Sequence, residues 1–115
     1  MSFADLIAAA DPASADAIQT ILDRTLAAAP AAEEGLSYSV AALLLDGKAI
    51  IGIGTRGQEY SLYPHSGQIV SQVADLLPGF RISKGSIGFS GTQPIPIPVI
   101  DQIVHLRLTE LRNKH

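Results

Sequence analysis

The chain has 115 residues, of which 47% are hydrophobic and 17% charged, and its formal net charge is −3. This composition is typical of a globular protein, and one domain over residues 1–115 is expected, while the acidic balance argues against nucleic acid as a partner. The sequence has no cysteine, which excludes disulfides, thiolate metal sites and cysteine nucleophiles. No apolar run approaches the roughly 18 residues of a membrane span and no basic segment precedes the first apolar stretch, so we expect a cytoplasmic protein without a membrane partner.

The first third of the sequence predicts two helices. A capping-box pattern at Ser2 and Asp5 precedes apolar residues spaced at i, i+3, i+4 and i+7, which predicts a short helix over residues 3–10. Ser14 is expected to cap a second helix, which has one apolar face and ends at Pro30.

Strand patterns follow in the middle of the chain. Residues 36–55, "LSYSVAALLLDGKAIIGIGT", predict a strand, a hairpin and a second strand, because Asp46-Gly47 between apolar runs is typical of a type I′ turn. Residues 59–64, "EYSLYP", predict one more short strand.

The last part of the chain predicts a helix, two short strands and a closing helix. The first helix covers residues 67–78, and the strands "FRIS" and "SIGF" cover 80–83 and 86–89. Proline fixes φ, so the proline-rich stretch that follows is extended and the last helix covers residues 98–113. Together these elements predict an α+β fold: a twisted antiparallel sheet of about five to six strands with helices packed on one face.

Two stretches resemble nucleotide-binding motifs without their structural context. Residues 52–57 match G-x-G-x-x-G after a strand, but "QEYSLYP" follows in place of the helix that would bind a pyrophosphate. Residues 83–86, "SKGS", lack the glycines that precede the lysine of a P-loop. The order Lys84-Gly85 indicates a tight turn with Gly85 at positive φ, or alternatively a lysine that contacts an anion in a pocket.

Arg107 falls near the middle of the apolar face of the last helix. A guanidinium cannot be buried without acceptors. Its side chain could extend along the apolar surface to water, bind backbone carbonyls or a carboxylate, or meet an anionic ligand.

Acidic residues cluster in the first third of the chain: Asp11, Asp16, Asp23, Glu33 and Glu34. Asp16 and Asp23 lie two turns apart on the polar face of the second helix, which separates them by about 10 Å, too far to share one ion. They could form a ridge that attracts cations loosely, or simply a solvated helix face. We refer to Asp16, Asp23, Glu33 and Glu34 as the acidic group.

Six stretches in the same order resemble a known family. They are "LIAAADP", "APAAEEGLSYS", "YSLYP", "ISKGSIGF", "QPIPIP" and "IVHLRL", which together span the chain from about Phe3 to about Arg112. In these stretches the chain resembles the YdhG-like family, a bacterial domain of unknown function that includes frataxin-like iron chaperones. The resemblance implies a frataxin-like sandwich of helices and antiparallel sheet.

The resemblance also implies candidate site residues and partners. The positions typical of the family include Ser37, Tyr38, Tyr63, Lys84 and Arg107. For some members it implies delivery of loosely held iron, through carboxylates, to iron–sulfur or haem assembly proteins. In this chain the carboxylates would be those of the acidic group.

Three functions follow from these observations. The first is an iron chaperone that uses the acidic group. The second is a small-molecule or anion-binding module that uses Tyr38, Tyr63, Lys84 and Arg107, and the third is a protein-interaction domain without a bound ligand. No arrangement of residues in the sequence indicates a catalytic site, so an enzyme is not expected.

Overall fold

The computed structural model describes residues 2–37, 39–56 and 59–113. Its elements are α1 (Phe3–Ala9), α2 (Pro12–Ala28), β1 (Glu33–Ser37), β2 (Val40–Leu45), β3 (Lys48–Arg56), β4 (Glu59–Tyr63), α3 (Gly67–Val73) with a 3-10 turn at Ala74–Leu76, β5 (Ile87–Phe89) and α4 (Ile97–Asn113). In the described residues the strands form one open five-stranded sheet in the order β1-β2-β3-β4-β5. Every neighbouring pair is antiparallel, which confirms the predicted α+β fold.

The two N-terminal helices begin at different kinds of cap. Ser2 and Asp5 form the predicted capping box, with both hydrogen bonds at 3.1 Å. The prediction that Ser14 caps α2 is wrong. Asp11 is the N-cap and Pro12 takes the first helical position, where its missing N–H costs nothing.

The predicted strand before the Asp46-Gly47 turn is in fact two strands. β1 and β2 pair with Ser37 opposite Val40, so the chain reverses within this stretch, and Ser39 has a φ of 68°. The turn at Asp46-Gly47 is confirmed: both residues have positive φ, as a type I′ turn requires.

The segment around Lys84 is a turn, but only one of its two predicted strands forms. "SIGF" contains β5, whereas "FRIS" contributes a single bridge between Ile82 and Ile87. Ser83 N donates to Ser86 O at 3.0 Å, which closes the tight turn. The expected positive φ at Gly85 is wrong, since the glycines with positive φ in the described residues are Gly47 and Gly79.

The two faces of the sheet differ. Ala41, Ile53, Leu62 and Ile87 form one row across β2 to β5, and all four are buried in the core. Helical residues complete this core, including Ile18, Ile21, Ile100 and Ile103. Because side chains alternate along a strand, the next row faces the other way.

That second row holds small residues and an aromatic ring. Ala42, Gly52 and Tyr63 lie side by side in it, and Gly54 lies opposite Ser61 in the row beyond. This second face, where it meets the end of β4, carries the site described below.

Two further facts concern the helices. α2 and α4 pack together and are linked at the surface by Arg24, which donates to both carboxylate oxygens of Asp101 at 2.8 and 2.7 Å.

None of the helices in the described residues has the length and apolar character needed to cross a membrane.

Candidate functional site

A pocket of about 670 Å³ opens where β4 ends beside the first residues of β3. The register pairs Gly52 with Tyr63, the last residue of β4, so residues 48–51 of β3 extend past their neighbour. We call this the β3–β4 pocket. Its polar lining comes from separate parts of the chain: Ser37, Lys48, Tyr63, His65, Ser66 and Arg107.

Arg107 takes the place of the missing strand partner. Leu45 and Lys48 flank a two-residue turn and so form a hydrogen-bonded pair, which leaves Leu44 and Ala49 as the next, non-hydrogen-bonded pair. The Ala49 carbonyl therefore points away from β2. Arg107 Nε donates to it at 2.9 Å, across 58 positions of sequence.

The guanidinium of Arg107 is held from a second side by Glu110, one turn along α4. Nη1 donates to Glu110 Oε1 at 3.1 Å, and the Arg107 side chain is only 10% exposed. Nη2 makes no hydrogen bond within residues 2–37, 39–56 and 59–113. Arg107 thus has the backbone and carboxylate partners that its burial requires, and it retains donors that they do not use.

Ser66 connects this ion pair to the start of α3. Its hydroxyl donates to Glu110 Oε2 at 2.7 Å and accepts from Ile69 N at 3.4 Å as the helix N-cap. Both carboxylate oxygens of Glu110 are therefore engaged, one by Arg107 and one by Ser66. The result is a connected polar network from β3 through α4 to α3.

His65 also lines the pocket. Its Nε2 is 3.1 Å from Ser37 Oγ, so the pair joins the end of β1 to the segment after β4. His65 also has a φ of 59°, a left-handed conformation that histidine adopts more readily than most residues. A non-glycine residue in this region indicates a position held by its surroundings.

Burial lowers the pKa of His65 below its ordinary value, and the positive charge of Arg107 lowers it further. The backbone carbonyl of Tyr63 acts in the opposite direction. The contact between that carbonyl and the ring is not a hydrogen bond, since Nδ1 is buried without a partner among the described residues. Burial and the charge of Arg107 therefore favour the neutral imidazole.

Glycines of β3 make room for the rings that form the pocket wall. A Cβ on Gly52 would lie 3.1 Å from His65 Cε1, and one on Gly54 would lie 3.2 Å from Tyr63 Cε2. The first two glycines of the G-x-G-x-x-G stretch thus lie in a strand beside these rings, and β4 follows β3 in place of the helix that a dinucleotide site needs. Gly57 lies outside the described residues.

Three of the five predicted ligand-binding residues line this one pocket: Ser37, Tyr63 and Arg107. Lys84 does not. Its side chain is exposed beside a separate cavity between α3 and residues 82–84, although its neighbour Gly85 lines the β3–β4 pocket. Tyr38 lies outside the described residues.

Four residues of the site were not predicted: Lys48, His65, Ser66 and Glu110. Local signals existed for two of them. A serine just before a helical pattern is a typical N-cap, and a glutamate three residues after an arginine on a helix can pair with it. Nothing in the local sequence indicates that His65 meets Ser37, because that contact depends on the sheet.

The acidic group is exposed on α2 and β1. Asp23 accepts a hydrogen bond from Gln19 at 2.9 Å, and Glu34 accepts one from Phe3 N at 3.2 Å at the start of α1. No three His, Asp or Glu side chains in the described parts of the chain gather into a metal-binding cluster. Iron binding by these carboxylates stays a prediction.

The fold has a counterpart among solved structures. YdhG from Bacillus subtilis, a protein of the DUF1801 family, matches with a TM-score of 0.79, and the match covers 96% of this chain and 91% of YdhG. The fold is YdhG-like. Sequence identity is 15%, so the similarity shows the fold alone. No family model matches the sequence, and no curated protein matches it.

Proposed function

We propose that the chain is a binding module for a small organic anion, held in the β3–β4 pocket. The observation that carries the proposal is Arg107, a buried guanidinium oriented by Ala49 and Glu110 that lines the pocket with donors to spare. A guanidinium fixed in this way matches the planar geometry of a carboxylate.

The charge around the pocket favours a singly charged ligand. Glu110 already balances one positive charge, and Lys48 at the exposed rim supplies another. A carboxylate balances that remaining charge, whereas a doubly charged phosphate needs more donors than one partly used guanidinium provides.

The walls favour a ligand with an apolar body. Val40, Ala49 and the ring of Tyr63 line the pocket beside its polar groups, and its volume of about 670 Å³ lies within the range of small-molecule sites. The ligand class supported best is therefore an aromatic or branched organic acid.

Amide NMR of the isotope-labelled protein tests the proposal, with benzoate as the probe. Benzyl alcohol has the same ring without the charge, and inorganic phosphate has the charge without the ring. We expect saturable shifts around the pocket with benzoate, and at least a tenfold weaker response to each of the other two. Equal responses to benzoate and benzyl alcohol would contradict a role for charge.

A matched pair of variants locates the binding group. Arg107→Lys retains the charge but loses the planar donor pair, so we expect benzoate binding to weaken at least tenfold. Arg112→Lys, at an exposed position on the same helix, should bind benzoate as the unchanged protein does. Undiminished binding by Arg107→Lys would refute the assignment.

Iron delivery by the acidic group to iron–sulfur or haem assembly proteins stays a separate proposal. It rests on the resemblance of the sequence alone, and no contact among the described residues favours it.

A further inference from the structure

Ser37 and His65 form a pair that anion binding does not require. Ser37 Oγ and His65 Nε2 are 3.1 Å apart, and both residues line the β3–β4 pocket. A hydroxyl within hydrogen-bond reach of an imidazole inside a pocket is the arrangement of a nucleophile beside its base.

The surroundings of His65 favour the form of the ring that this chemistry needs. Burial and the positive charge of Arg107 lower the pKa of His65, so the neutral imidazole is favoured. A neutral imidazole carries one N–H and one acceptor nitrogen. In the tautomer with its proton on Nδ1, Nε2 is the acceptor and the Ser37 hydroxyl donates to it.

We propose that Ser37 is a nucleophile that His65 activates as a general base, and that the β3–β4 pocket hydrolyses small carboxylic esters with an apolar acyl group. The acid that this reaction releases is an organic anion of the class proposed above. Only this match between the released acid and the proposed ligand rests on the proposed function.

The reaction balances with water as the only co-reactant. Ser37 Oγ bonds to the ester carbonyl carbon while its proton passes to His65 Nε2. The bond to the alcohol oxygen then breaks, and His65 returns the proton to the departing alcohol. Water attacks the acyl-serine in the same way, giving up a proton through His65, and the acid leaves with Ser37 restored.

Arg107 lines the same pocket and has an unengaged Nη2 within the described residues. It is the cationic donor at hand for the negative charge that develops on the carbonyl oxygen. A buried, pre-oriented guanidinium suits this role because it needs no rearrangement during the reaction.

The test uses the whole chain and a neutral alkyl fluorophosphonate, which does not depend on anion binding. Attack forms a bond between Ser37 Oγ and phosphorus and expels fluoride, and the adduct is located by peptide mass spectrometry. We expect one adduct, at Ser37, and none in Ser37→Ala. Ser71→Ala, at an exposed helix position, should be labelled at Ser37 as before.

His65→Asn separates activation from mere exposure of the serine. Asparagine tolerates the left-handed backbone at this position, so the variant keeps its fold, which amide NMR checks. Loss of a general base should slow labelling of Ser37 at least about 100-fold. The same variant should lose hydrolysis of 4-nitrophenyl benzoate.

Three results would overturn the proposal: no adduct at Ser37 in excess reagent, adducts spread over surface serines at similar rates, or an unchanged rate in His65→Asn. Labelling of Ser37 without benzoate binding would refute the proposed anion binding alone. Benzoate binding without labelling would refute the nucleophile alone.

Discussion

Replacing Arg107 by methionine should destabilise the protein, because the change removes the hydrogen bond that completes β3. The Ala49 carbonyl loses the donor that Arg107 Nε provides at 2.9 Å, and an unpaired buried acceptor costs about 1–3 kcal/mol. The ion pair with Glu110 adds up to about 1 kcal/mol, since the Glu110 side chain is 23% exposed and Ser66 still binds it. The expected loss in the free energy of unfolding is about 1–4 kcal/mol.

Urea denaturation followed by circular dichroism measures this loss. The midpoint should fall while the slope against urea stays the same, because the surface exposed on unfolding hardly changes. Arg24→Met is the matched control. Arg24 also makes a two-point contact with a carboxylate, but at side-chain exposures of 44% and 41%, so its loss should be much smaller.

A second comparison separates the two partners of Arg107. Glu110→Gln keeps an amide oxygen as acceptor for Arg107, and its amide N–H can donate to the Ser66 hydroxyl, so its effect should be less than half that of Arg107→Met. If Arg107→Met changed the free energy of unfolding by less than about 0.5 kcal/mol, the reasoning that a guanidinium replaces a strand partner would be refuted.

Three further predictions concern other parts of the molecule. Gly91→Ala should destabilise the protein by about 1–3 kcal/mol in the same urea assay, because the added Cβ would lie 2.6 Å from the backbone N of Ser14. In the control variant Gly85→Ala the added Cβ meets nothing within 4 Å, so its effect on stability should be near zero. Equal effects of the two substitutions would contradict the steric argument. Burial lowers the pKa of His65 in the folded protein, so the unfolded chain binds a proton first as pH falls. The free energy of unfolding should therefore decrease below pH 6.5 and level off once His65 in the folded protein is also protonated. In His65→Asn the free energy of unfolding should depend less on pH. An anaerobic ferrous titration should broaden only the amide signals near the acidic group, and no localised broadening at millimolar iron would end the iron prediction.

Local patterns predicted most of the secondary structure. The capping box at Ser2 and the turn at Asp46-Gly47 depend on residues a few positions apart, and both formed as predicted. The misplaced boundaries have local competitors: Asp11 with Pro12 starts α2 more favourably than Ser14, and a reversal near Ser39 divides the expected strand.

The sequence was least informative about how the pieces of the site come together. Helical periodicity placed Arg107 on the apolar face of the last helix, and its burial agrees, but three partners remained open. Its acceptor is a carbonyl on β3 that has no strand partner, because β4 stops at Tyr63. The end of one strand relative to the next is a property of the sheet, so no pattern within α4 could report it.

By itself, the sequence determined the α+β class, the capping box and the turn that near neighbours form, and the apolar faces that build the core. These features follow from backbone geometry and from the periodic burial of side chains. Only the tertiary structure decided that Ser37, His65 and Arg107 share one pocket and that Lys84 lies outside it. The contacts within that pocket join residues 28 to 58 positions apart, and their distances are set by strand register and helix packing.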